Sequence, residues 1–132
     1  MTTTTLINAQ SLGTGFNVGN NKFSIGPLTL AAGTTAYVLS VKLVNGVGPV
    51  RRGQFVRIWY TSCYESVSAA NAPLQLGQTA RYVDIMPAPD TAGVAYKDSS
   101  LEPVTGGFMN IWVDSPGADI ASLLSVTLVE LP

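Results

Sequence analysis

In the run TAYVLSVKLV, residues 35–44, the apolar side chains Tyr37, Leu39, Val41 and Leu43 fall on every second position, with Ser40 and Lys42 between them. Successive side chains of a strand point to opposite faces, so this spacing builds one apolar and one polar face. A helix cannot use it. The same period returns near the C-terminal end, where Leu124, Val126 and Leu128 alternate with Ser125, Thr127 and Val129. Further strand-like runs are KFSIGPLTL (22–30), QFVRIWYTSCY (54–64), TARYVDIM (79–86), VAYKD (94–98) and FMNIWVD (108–114). The run 54–64 is apolar on both faces apart from Arg57 and the hydroxyls, the pattern of a central strand covered on both sides. Only GADIASLLS has the spacing for even one helical turn.

The 13 glycines and 8 prolines fall mainly between these runs, where turns need them. ESVSAANAPLQLGQ, PAPDTAG and SSLEPVTGG read as loops. About eight strands with such punctuation predict an all-β fold, an antiparallel β-sandwich that is jelly-roll-like. Tyr37, Leu39, Val41, Leu43, Ile111, Val113, Leu124, Val126 and Leu128 are the expected core. A chain of 132 residues makes one domain, with the sandwich expected over 22–132 and an extended N-terminal arm over 1–21.

That first segment, MTTTTLINAQSLGTGFNVGNN, holds no charged side chain. It reads either as a frayed terminus or as an arm that adds a strand to a neighbouring subunit through Thr2, Thr3, Thr4, Thr5, Leu6 and Ile7. As an arm, it should be removable from Thr2 to Ile7 without unfolding the sandwich.

Charge is scarce. Asp, Glu, Lys and Arg make up 11% of the chain, against about 25% in an ordinary soluble domain, while 46% is hydrophobic. So little polar surface points to cover by partners and to a homo-oligomer, expected to be a trimer. The net charge of −1 argues against nucleic acid, since neutralising phosphates takes a basic surplus. No apolar run is long enough to span a membrane, and MTTTTLINAQ lacks the features of a secretory signal.

Histidine is absent and Cys63 is the single cysteine. This removes the usual triads and the usual zinc ligand sets. GTGFNVG misses the dinucleotide fingerprint by one residue and has no strand–helix context. Most carboxylates sit in turns or at strand ends. Asp84 is the exception, in mid-strand between Val83 and Ile85, expected to point outward or to pair with an arginine. The chain is therefore expected to be no enzyme and to need no cofactor or metal.

Arg51, Arg52 and Arg57 are three of the seven cationic residues, clustered beside the richest aromatic run. They read either as gatekeepers flanking an aggregation-prone strand or as contacts to an acidic partner surface. Trp59, Tyr60, Tyr64, Tyr82, Tyr96 and Trp112 read as core or interface material, or as a sugar-stacking platform.

A short charge-poor chain with the Thr-rich arm MTTTTLINAQ, about eight strands, many turn glycines and the closing run SLLSVTLVELP resembles the small virion proteins of tailed bacteriophages, in particular the head decoration or cement type. The resemblance covers the whole chain in pattern. It implies a structural protein made in the host cytoplasm and carried on the virion surface. Such a protein binds the major capsid protein or another virion protein and ties neighbouring capsomers together. The competing reading is a receptor- or carbohydrate-binding β-sandwich of a phage tail fibre or tail tip.

Overall fold

A computed structural model describes residues 1–12, 22–44, 55–63, 81–88, 93–114 and 122–132. Among them are nine strands and no helix: β1 (Thr2–Ser11), β2 (Lys22–Thr29), β3 (Ala36–Val44), β4 (Val56–Cys63), β5 (Arg81–Ile85), β6 (Val94–Asp98), β7 (Glu102–Pro103), β8 (Phe108–Asp114) and β9 (Leu123–Leu131). Each strand-like run of the sequence is a strand within a residue or two at its ends. The two-residue β7 lies in a stretch that reads as loop.

The strands form two antiparallel sheets packed as a sandwich. One is ordered β1-β9-β3-β6, with β7 beside the other end of β3; the second is ordered β2-β8-β4-β5. The pairings reach far along the chain. The first strand pairs with the last, Thr3 opposite Val129, and β2 pairs with β8, Ile25 opposite Ile111. β3 pairs with β6 and β4 with β5. Two further pairings, β3 with β9 and β4 with β8, complete the sheets.

The core fills the space between the sheets by the alternation already present in the sequence. All nine expected core residues are buried, joined by Val56, Ile58, Val83, Ile85 and Met109 from the second sheet. Ile7 and Leu12 belong to the same cluster, so the N-terminal segment contributes to it directly. At about 25 cal/mol per Å² of apolar surface removed from water, this common core is the main stabilising term.

A buried carboxylate fixes the β2–β3 connection. Glu130 Oε1 accepts from the Ala31 amide at 2.8 Å and from Thr34 Oγ1 at 3.1 Å. Gly33 has φ of +86°, a left-handed conformation that glycine adopts without a Cβ penalty. A carboxylate buried in this way is tolerated because hydrogen bonds from the chain replace water, here two to Oε1.

Candidate functional site

Alternation along β4 puts Phe55, Arg57 and Trp59 on the outer face of the second sheet while Val56, Ile58 and Tyr60 enter the core. Register then sets their neighbours. Arg57 lies between Asp84 of β5 and Asp114 of β8, and Trp59 lies between Tyr82 and Trp112. Lys22 of β2 is opposite Asp114 in turn, so residues of alternating charge cross all four strands in one row, beside an aromatic row.

Arg57 is held tightly within its own chain. Its Nε and Nη2 donate to the two oxygens of Asp84 at 2.8 and 3.0 Å. Its guanidinium also lies 3.9 Å from the centre of the Tyr82 ring, and 5.4 and 5.5 Å from those of Phe55 and Trp59. The hydrogen bond to Asp84 raises the guanidinium's already high pKa. A planar fork with carboxylate on its edge and aromatic rings on its faces is a geometry lysine cannot supply. Of the two sequence expectations for Asp84, outward or arginine-paired, both hold at once.

A second polar cluster bridges the two sheets. Glu102 of β7 is buried, and its Oε2 lies 2.9 Å from Arg81 Nε, at the start of β5. Its Oε1 accepts from Ser100 Oγ and, at 3.4 Å, from the Tyr60 hydroxyl. Tyr60 meets Tyr37 edge to face at 6.1 Å. Burial raises the pKa of both phenols, and the Glu102 charge adds to the shift. Beside them Ser62 Oγ accepts from the Thr105 amide at 3.0 Å, while Thr105 Oγ1 donates to the Ser62 carbonyl.

The third feature is an edge. β1 borders the first sheet and is its longest strand, ten residues without a charge or a proline. Natural edges are commonly guarded by short length, charge, proline or a bulge. β5 and β6 have five residues each and carry charges, and β2 contains Lys22 and Pro27. In β1 the register slips between Thr5 and Ile7 and again before Gln10, where Ala9 has φ of 50° and donates its amide to Ser125 Oγ at 3.0 Å. From Thr2 to Thr5 the pairing with β9 is regular, and all four threonines are exposed.

The expected partner-binding residues thus separate. Thr2 to Ile7, assigned to an arm by sequence, lie in β1 and pair with β9 of the same chain. Removing them would take out Ile7, which is 5% exposed, and bare the β9 edge, so that truncation alters the sandwich itself. Arg57 faces Asp84, and Arg51 and Arg52 lie outside the described residues. Glu102 escaped the sequence reading because an acid beside a proline in a turn-rich stretch looks solvated. Its partners come from strands that only the tertiary fold brings near.

No protein-family model matches the chain, and no curated protein matches it in sequence.

Proposed function

We propose that the sandwich is a jelly roll and that the chain is a non-enzymatic structural protein of a virion, a decoration or cement protein on the capsid surface. Support for the jelly roll lies in the order of pairing. With the short β7 set aside, first pairs with last, second with second-last, third with third-last and fourth with fourth-last. This is one long hairpin. Winding it up adds β9 to β3 and β8 to β4, the two remaining pairings. Viral capsid domains are among the proteins built this way, alongside lectins and cupins, so the fold is compatible with the reading and does not select it.

The observation that carries the functional reading is the uncharged, proline-free and regularly paired edge at Thr2–Thr5. It offers main-chain donors and acceptors in a straight, uncharged row, the template for strand addition by another chain. In this reading the edge receives a strand from a capsid subunit or a trimer mate, and Arg51 and Arg52 contribute at the rim of the contact. The protein binds protein, with no role for nucleic acid or membrane.

Replacing Thr3 and Thr5 together with lysine places charge on the edge without removing β1 from its sheet. Both side chains are exposed, so stability should change by less than about 0.5 kcal/mol. Virus particles banded on a density gradient should carry the wild-type chain in fixed ratio to the capsid protein and should lose the double variant. A wild-type chain that stays off the particles overturns the reading.

A further inference from the structure

The first sheet has a second face, turned away from the core. Tyr37, Leu39, Val41 and Leu43 point inward from β3, so Val38, Ser40, Lys42 and Val44 point outward. Register groups the outward side chains of β9, β3 and β6 into four rows. The first is Leu123, Val44 and Val94. The second is Ser125, Lys42 and Tyr96, and the third is Thr127, Ser40 and Asp98. The fourth is Val129 and Val38. None of these side chains is buried, and Tyr96 is 70% exposed, so no described residue covers the face. Lys42 and Asp98 are the only charges in the four rows. Neither has an ion-pair partner among the described residues.

We infer that this face binds a second copy of the chain about a two-fold axis. The rows are self-complementary: an apolar row, a row with the cation, a row with the anion, and an apolar row. Take an axis that runs across the strands between the second and third rows. A half-turn about it lays Leu123 and Val44 of one copy on Val129 and Val38 of the other. The same turn lays the row of Lys42 on the row of Asp98, one strand to the side, a step that the flexible four-carbon stem of lysine spans. An acidic or a basic partner would match only one of the two charges, whereas a second copy matches both. Sheets packed face to face in sandwiches keep their strands nearly aligned, so the contact repeats outside the molecule the kind of packing that holds its core. Area points the same way. At about 4.8 Å between strands and 3.4 Å per residue, the four main strands of this sheet present roughly 500 Å². Two such faces bury about 1,000 Å², the lower bound of a specific interface and the size of a reversible one.

Packing face to face leaves the edge of β1 open, so this inference and the lattice reading stand or fall separately. Sedimentation equilibrium of the free full chain, without virus particles, tests it. The wild-type chain should show a monomer–dimer equilibrium with a Kd of about 10–100 μM. Lys42→Asp and Asp98→Lys each place like charges together twice in the dimer, and each should weaken association about ten-fold or more. An equimolar mixture of these two variants restores both opposite-charge contacts and should associate as the wild type does, within about three-fold. Leu123→Asp puts a charge in the apolar row and should also weaken the dimer about ten-fold. All three positions point outward and none is buried, so the variants should keep the wild-type unfolding midpoint. A wild-type chain that stays monomeric at about 500 μM would overturn the inference. So would single variants that dimerise like wild type, or a mixture of the two that associates no better than either alone.

Discussion

Ile7→Ala should cost the fold about 2–4 kcal/mol and lower its unfolding midpoint by roughly 10 °C. Ile7 is 5% exposed and packs in the same cluster as Val126, its register partner on β9. Deleting buried methyl groups forfeits their transfer energy and leaves a cavity that the surroundings fill only in part. The size of the effect matters because of where the residue lies. In a detached or frayed segment, the same substitution would change stability by less than about 0.5 kcal/mol. Thr4→Ala, three positions earlier and exposed, is the control and should leave the midpoint in place. Denaturant unfolding of the two variants distinguishes a β1 that belongs to the sandwich from one that merely touches it.

The second large effect is alkaline. Tyr37 and Tyr60 are buried together between the sheets, and burial, reinforced by the Glu102 charge, raises both pKa values. Below the ordinary tyrosine pKa of about 10, both phenols are protonated folded and unfolded, and their contribution is fully present. Above about pH 10 the unfolded chain gives up protons that the folded chain keeps, so stability falls as pH rises toward the folded pKa values. Between its unfolded and its folded pKa Tyr37 contributes a slope approaching about 1.4 kcal/mol per pH unit, and Tyr60 adds to it in the same direction. Denaturant titrations at pH values on either side of 10 should show this loss, and Tyr37→Phe should make the slope clearly shallower. Phenolate absorbance offers an independent reading: Tyr37 and Tyr60 should ionise at higher pH in the folded chain than in the unfolded one. Ionisation of Tyr37 and Tyr60 near pH 10 with the fold intact would contradict it.

Local period made most of the architecture legible. Tyr37 to Leu43 and Leu124 to Leu128 announce their inward faces because each strand keeps strict alternation over its length. β1 is harder to read, for a physical reason. Leu6 and Ile7 are adjacent, and the register slips at Thr5/Ile7 and around Ala9 break the two-residue period that would mark a core-facing strand. Pairing partners were not legible at all. That Thr34 and Ala31 meet Glu130, almost a hundred residues away, follows from the winding of the whole chain and leaves no local trace. The same holds for the candidate sites. Asp84 could be singled out as a mid-strand acid, but Arg57 as its partner depended on β4 and β5 pairing with Arg57 opposite Asp84.

The edge at Thr2–Thr5 carries the functional account, and amide hydrogen exchange tests it most directly. In an antiparallel edge strand, alternate amides point to the neighbouring strand and the others point outward. In the free protein the outward amides of β1 should exchange quickly, while those bonded to β9 are protected. On the virus particle the outward amides between Thr2 and Thr5 should become protected as well, because a strand from another chain takes them. Outward amides that exchange as fast on the particle as in the free protein would contradict the account.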